Sequence, residues 1–173
     1  LQNYKSEREP RIFRISERNF CGFIKMNDII IKQLKNDFES ALALIWQVFS
    51  EYEAPDYAQE GIDEFYRAIH DEKYLSMLTI FGAFIGEKLV GVIATRNEGS
   101  HIALFFVDGK YHRQGIGKQL FQKVLEIVSF SKLTVKASPF AVPVYCKLGF
   151  STTDSEQVVN GIRFTPMEFQ RHK

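Results

Sequence analysis

Hydrophobic positions follow two patterns along this chain, one with the period of a strand and one with the period of a helix. The strand pattern appears as five short apolar runs at residues 29–34, 75–85, 89–95, 101–107 and 133–137. Loops of only three and five residues separate the second, third and fourth runs, and this spacing predicts an antiparallel meander. A last strand is predicted after the turn-forming pair Asn160–Gly161.

Helical spacing appears in four segments, at residues 38–52, 62–70, 116–128 and 140–148. Asn36 is a candidate N-cap for the first helix, because Glu39 follows it at capping-box spacing. Pro143 is tolerated in the first turn of the last helix, and Gly149 is a typical stop signal. A meander that enters a strand–helix–strand crossover predicts an α/β fold, with a mixed, mostly antiparallel central sheet and helices on both faces.

The composition is that of one globular domain, with 173 residues of which 45% are hydrophobic. The net charge of +1 gives no argument for a nucleic-acid partner. No apolar run reaches the ~18 residues of a membrane span, no signal peptide is visible, and Cys21 and Cys146 have no metal-ligand spacing. We therefore expect a cytoplasmic protein without a membrane segment. Residues 1–25 are basic and aperiodic, and they predict a disordered or accessory extension before a domain at residues 26–173.

Two glycines, Gly115 and Gly117, stand where a predicted buried strand turns into a helix. The first backbone N–H groups of a helix have no internal partner, and bare backbone lets a ligand approach them closely. With Arg113 and Lys118 alongside, the turn is suited to a phosphate group. The alternative is a tight turn with solvated basic residues.

Known nucleotide signatures do not fit this turn. A dinucleotide fingerprint needs a third glycine where Leu120 stands. A P-loop needs a glycine at the position of His112 and a hydroxyl residue at that of Gln119. The four histidines are scattered, so no metal site is expected.

Two segments together resemble the GNAT superfamily of N-acetyltransferases. FFVDGKYHRQGIGKQLFQKVL, residues 105–125, resembles its acetyl-CoA motif, Arg/Gln-x-x-Gly-x-Gly/Ala. ASPFAVPVYCKLGF, residues 137–150, resembles its second hallmark, a tyrosine-bearing helix followed by Leu-Gly-Phe. Residues 26–169 follow the order of elements in the family. One departure is His112, which stands where the motif usually has Arg or Gln.

The resemblance implies an acetyl-CoA site between two splayed strands, at residues 101–107 and 133–137. The pantetheine arm would bind the backbone of Phe105, Phe106 and Val107, and a backbone N–H near Val107 would polarise the thioester carbonyl. The pyrophosphate would be held by six consecutive residues: Arg113, Gln114, Gly115, Ile116, Gly117 and Lys118.

Two residues near the second hallmark have implied roles. Tyr145 matches the general acid that protonates the departing thiolate, although helix packing is the alternative. Ser138 stands where relatives place a polar residue that touches the cofactor, and a helix N-cap explains it equally well.

The acceptor side is predicted from charge. Residues 36–66 contain no Lys or Arg but eight acidic residues, and residues 50–57 match the connection that walls the acceptor pocket in the family. These acids suit a cationic amine, on a small molecule or a peptide; a solvated acidic surface is the alternative. Glu51, Glu53 and His101 are the candidates for substrate binding and for the general base.

The sequence thus predicts an N-acetyltransferase that moves an acetyl group from acetyl-CoA directly to a primary amine. The alternative is a non-catalytic acyl-CoA-binding regulatory module. The acceptor's identity and a homodimeric state stay open.

Overall fold

The computed structural model describes residues 28–35, 38–129 and 131–171; the predicted extension over residues 1–25 lies outside them. The described strands are β1 (Ile29–Leu34), β2 (Thr79–Ile85), β3 (Lys88–Arg96), β4 (His101–Val107), β5 (Lys132–Ala137), β6 (Ser151–Thr152), β7 (Gln157–Val159) and β8 (Ile162–Gln170). They pair in the order β1–β2–β3–β4–β5–β8–β6, with β7 also paired to β8. Only β4 and β5 are parallel; the other described pairs are antiparallel. The predicted mixed, mostly antiparallel sheet is confirmed.

The described helices are α1 (Glu39–Tyr52), α2 (Gln59–Ile69), α3 (Glu72–Ser76), α4 (Ile116–Ile127) and α5 (Val142–Lys147). The strand predicted from residue 75 was wrong at its start, because Leu75 and Ser76 belong to α3. Asp71 begins that helix by accepting a hydrogen bond from the Tyr74 N–H. The capping prediction for Asn36 lies outside the described residues. None of the described helices combines the length and apolar character needed to cross a bilayer.

Two hydrophobic cores cover opposite faces of the sheet, as the prediction of helices on both faces requires. On one face α4 buries four residues against the sheet: Ile116, Leu120, Phe121 and Val124. On the other face α1 buries five residues: Ala41, Leu44, Ile45, Val48 and Phe49. The packing of α1 and α4 on the sheet therefore fixes the loops next to these helices, and several predicted site residues lie on those loops.

A β-bulge interrupts β4 at Ala103. Leu104 pairs with Ala94 of β3 and Ile102 pairs with Thr95, so Ala103 is an extra residue between them. The bulge changes the face to which the side chains point: Ile102 joins the α4 core, whereas Leu104 joins the α1 core. A bulge also bends the strand and increases its twist.

Helix α2 is held against the β7–β8 turn by backbone contact. Gly61 is buried, and a Cβ added there would lie 2.2 Å from the carbonyl oxygen of Gly161. Gly161 itself has a positive φ of 75°. The helix and the turn therefore approach closely only because neither position has a side chain.

We expect Gly61→Ala to destabilise the fold. Alanine normally stabilises a helix by ~1 kcal/mol relative to glycine, but here its methyl group must displace backbone, at a cost of about 1–3 kcal/mol. Thermal unfolding should show a lower Tm. The control is Glu60→Ala on the exposed neighbouring position, which should leave Tm nearly unchanged; a Gly61→Ala variant as stable as the control would contradict the assigned contact.

Candidate active site

Strands β4 and β5 leave a gap between them. They are in register at only two positions, His101 with Thr134 and Ile102 with Val135. The divergence begins at the bulge at Ala103, so residues 103–107 present an edge that β5 does not cover. A strand edge of this kind can pair with an extended ligand.

The direction of the backbone groups along this edge follows from their alternation. The Asp108 N–H donates to the Val90 carbonyl of β3 at 2.9 Å. Because neighbouring residues of a strand point their N–H groups to opposite edges, the N–H groups of Val107 and Phe105 are directed towards the gap. Phe106, by the same alternation, directs its backbone towards β3. Of the three residues predicted to bind the pantetheine arm, Phe105 and Val107 thus present backbone to the gap.

His112 has a structural contact with the same strand. Its Nε2 donates to the Val107 carbonyl at 2.8 Å, since a carbonyl oxygen can only accept. Its ring also lies 5.1 Å from the ring of Tyr52 at the end of α1, and Tyr52 lies 5.1 Å from Phe140 on the far side of the gap. These contacts of His112 fix the loop between β4 and α4. They account for a histidine at the position where the acetyl-CoA motif usually has Arg or Gln.

The glycine turn at the start of α4, which is the predicted anion cradle, has backbone N–H groups without a helical partner. Gly115 is the N-cap, with a φ of 84° and no heavy atom within 4 Å of where a Cβ would stand. The Gln119 N–H makes the bond to Gly115 O, so the N–H groups of residues 116–118 precede the first helical bond. Gly117 faces the Phe105 ring, with 3.4 Å between that ring and an added Cβ. The turn therefore leaves its N–H groups accessible beside the edge of β4.

The polar side chains of this turn divide into two kinds. Arg113 and Lys118 are exposed, and neither makes an ion pair with another described residue. Gln114 instead donates its side-chain amide to the Lys110 carbonyl at 3.2 Å. The two cations and the helix N-terminus thus fit a pyrophosphate, whereas the Gln114 side chain has a partner within the loop.

A cavity of about 370 Å³ adjoins the gap between β4 and β5. Six of the predicted site residues line it: Glu53, His101, Phe105, Phe106, Ser138 and Tyr145. Glu51 is exposed and does not line it, although it was predicted with Glu53. The described residues contain no group of three or more His, Cys, Asp or Glu side chains able to hold a metal ion.

Tyr145 lies at the wall of this cavity, on α5. It is 4% exposed and packs against the rings of Phe105 at 5.9 Å and Phe150 at 5.1 Å. Burial raises the pKa of its hydroxyl well above the ordinary range, and the negative charge of Glu53 raises it further. The phenol therefore stays protonated at neutral pH, with a carboxylate close enough to act on it.

Glu53 follows α1 and is only partly buried, yet its carboxyl group is desolvated. Burial raises the pKa of Glu53 to about 7, against a smaller opposing effect of the Ser138 hydroxyl. Ser138 also accepts a hydrogen bond from the Ala141 N–H at 3.3 Å, so it caps the turn before α5 as well as facing Glu53. A carboxyl group with a pKa near 7 changes its protonation state in the physiological range.

His101 stands at the other end of the cavity as a neutral ring. The Thr134 hydroxyl donates to Ser100 O at 3.2 Å, so its oxygen accepts from the His101 Nδ1–H at 2.8 Å. Burial, with the charges of Arg96 and Lys136, lowers the pKa of His101 to about 4. Such a ring is a weak base, which favours Glu53 over His101 for proton abstraction.

Tyr57 lines the cavity and belongs to residues 50–57, the segment expected to wall the acceptor pocket. Sequence reasoning missed several other residues of the cavity, including Tyr74, Arg96 and Arg163. They come from α3 and from two strands far apart in the chain. No motif joins them, and only the folded sheet brings them together.

The comparison with known families is decisive. Residues 53–171 match the model of the acetyltransferase (GNAT) domain, which is more than half of the chain. The chain belongs to the GNAT superfamily.

Known proteins resemble this GNAT chain over most of its length. An uncharacterised N-acetyltransferase, YafP of Escherichia coli K12, is 28% identical over 153 residues, covering 86% of this chain and 98% of that protein. A GCN5-related N-acetyltransferase from Rhodopseudomonas palustris superposes with a TM-score of 0.71 at 21% identity, over 86% of this chain and 99% of that one. The PaiA N-acetyltransferase of Thermoplasma acidophilum, solved with coenzyme A, gives 0.65 at 20% identity, over 82% and 98%. These two structures share the fold.

We expect Gly117→Glu to weaken acetyl-CoA binding by about 30-fold or more, because the new carboxylate repels the pyrophosphate at the helix N-terminus. Calorimetry measures the affinity, and circular dichroism checks that the variant is folded. Gln122→Glu places the same charge at an exposed position of α4 and should bind normally. Equal affinities in the two folded variants would contradict the assignment of the cradle.

Proposed function

We propose that this GNAT domain transfers an acetyl group from acetyl-CoA to a primary amine by direct attack of the amine on the thioester. The observation that carries the proposal is one cavity, at the gap between β4 and β5, lined by both a protonated phenol and a carboxyl group with a pKa of about 7. Acetyl transfer to an amine needs one group to accept a proton and another to donate one. Tyr145 and Glu53 meet these two needs.

Glu53 is the proposed general base. An alkyl ammonium has a pKa of ~10 and must lose a proton before its nitrogen can attack. Above pH 7 the Glu53 carboxylate accepts that proton, and its raised pKa makes it a better base than an ordinary carboxylate. The acetyl carbon then gains a bond to nitrogen as its bond to sulfur breaks. The nitrogen loses its second proton to water as the amide forms, and water returns a proton to Tyr145 after the thiol has left.

Tyr145 is the proposed general acid. Its hydroxyl stays protonated at neutral pH, and the departing sulfur takes that proton as the carbon–sulfur bond breaks. The Val107 N–H, directed towards the gap, is suited to stabilise the charge that develops on the acetyl oxygen. No cysteine nucleophile is needed for direct transfer, and Cys146 is exposed beside Tyr145.

The cavity also bears on the acceptor. A volume of about 370 Å³ admits a small amine or the end of a side chain on a peptide. The acidic surface predicted over residues 36–66 contributes to its lining through Glu53 and Glu64. The acceptor is therefore an amine that enters a partly polar cavity.

Tyr145→Phe should lower kcat by about 10²–10⁴, because the proton donor is lost while the ring still packs. The KM for acetyl-CoA should change little, since the pyrophosphate cradle is elsewhere. Release of free CoA with a verified amine measures the rate.

Tyr57→Phe is the matched control for Tyr145→Phe. Tyr57 lines the same cavity, but its hydroxyl donates to the Arg163 carbonyl at 2.9 Å. This variant should retain most of the rate. A Tyr145→Phe enzyme with wild-type kcat would leave the domain without the proposed acid.

The activity should depend on the protonation of Glu53. Burial raises its pKa, so the carboxylate predominates only above pH ~7, and kcat/KM should fall as the pH drops through that value. Glu53→Gln should remove this inflection and lower the rate by about 10²–10⁴. Glu51→Gln, on an exposed carboxyl group two residues away, should keep both the inflection and the rate. An unchanged pH profile in Glu53→Gln would exclude Glu53 as the base.

A further inference from the structure

The end of the cavity away from Tyr145 holds a cation without a partner in the described part of the chain. Arg96 lines the cavity, and its Nε is buried with no hydrogen-bond acceptor. No described carboxylate forms an ion pair with it. Arg96 as a whole is half-buried. A buried donor of a charged group normally has an acceptor, so the unpaired Nε beside a cavity indicates an anionic ligand.

Two other charged side chains of the cavity, Glu64 and Arg163, already have ion-pair partners. Glu64 forms an ion pair with Arg67 at 2.8 Å, and Arg163 forms one with Glu156 at 2.8 Å. The charge of Arg96 is therefore available, in contrast to that of Arg163, which also lines the cavity.

Two further side chains lie at the Arg96 end. Lys136 is exposed, and its ammonium lies 4.4 Å from the centre of the Phe164 ring. Tyr74 lines the cavity close enough to Arg96 for the guanidinium charge to act on its hydroxyl. This end of the cavity thus combines a guanidinium with a phenol, two donors suited to carboxylate oxygens.

The sheet sets the distance between this end and the reacting end. Arg96 pairs with His101, whereas Phe105, whose ring contacts Tyr145, pairs with Ile93. Residues 93 and 96 of β3 are three positions apart, which is about 10 Å along a strand. An acceptor that reaches both ends therefore has its two polar groups separated by several bonds.

We propose that the acceptor carries a carboxylate several bonds from its amine, and that Arg96 binds this carboxylate while the amine lies between Glu53 and Tyr145. The inference rests on the proposed function and adds a substrate class to it. Arg96 acts as a specificity-determining residue, because a guanidinium holds a carboxylate through paired hydrogen bonds. An amine without the anion lacks these bonds and leaves the guanidinium unpaired.

The test is a series of straight-chain ω-amino acids, from glycine to 8-aminooctanoate, each compared with its own primary amide. The amide keeps the shape and removes the charge. CoA release should show a preference for the acid of about 10- to 100-fold in kcat/KM at one best chain length, the size expected of hydrogen bonds to a charged group. No preference at any length would overturn the inference.

Variants assign the preference to Arg96. Arg96→Gln should abolish the preference through KM, with little change in kcat or in the KM for acetyl-CoA, and Arg96→Lys should restore part of it. The control Arg163→Gln removes a cation of the same cavity that Glu156 already neutralises, and it should keep the preference. A folded Arg96→Gln variant that still prefers the acid would also overturn the inference.

A failure of the proposed function can be distinguished from a failure of the anion site. If no amine leads to CoA release, transfer itself is refuted, and calorimetry of the CoA-saturated protein with the same acids and amides still tests the anion site. Tighter binding of the acid, lost in Arg96→Gln, supports the site. Equal or absent binding of acid and amide refutes it.

Discussion

The site depends on the separation of β4 from β5, which begins at a single extra residue. Ala103 has no direct partner on β3, and the last pair between β4 and β5 is the one just before it, Ile102 with Val135. Without the bulge, continued pairing would occupy the backbone N–H groups that now face the gap. The same residue transfers the buried side chains of β4 from one core to the other. Both cores therefore stabilise the open conformation of the strands.

The chemistry at the gap follows from partial exclusion of water. Glu53 directly follows α1 and Tyr145 lies on α5, and burial raises the pKa of both side chains. The consequence differs between the two, because the pKa of Glu53 rises towards neutral pH whereas the pKa of Tyr145 rises further above it. Glu53 is thus able to accept a proton at neutral pH, whereas the Tyr145 hydroxyl keeps its proton until negative charge develops on the departing sulfur.

Charge is distributed unevenly along the cavity. From the acidic segment at residues 36–66, Glu53 and Glu64 line the cavity. Arg96 and the neutral ring of His101 line the end away from Tyr145. The two ends therefore suit the proposed acceptor, with its amine at one end and its carboxylate at the other. This polarity follows from the register of β3 with β4, which aligns Arg96 with His101 across the strands.

Sequence reasoning predicted most of the local elements and the position of the glycine turn before α4. The bounds of β1 and β4 and the start of α4 follow from period and residue type, because both are local properties of the chain. It missed α3 and the short strands β6 and β7, where apolar periodicity is weak. Sequence reasoning assigned Glu51 and Glu53 the same candidate role, and only their different burial in the folded protein distinguishes them. The positions of Arg96 and Tyr74 at the cavity and the bulge at Ala103 depend on how the strands pair and how α3 packs, which apolar periodicity does not show, so the charges that line the cavity could be read only from the tertiary structure.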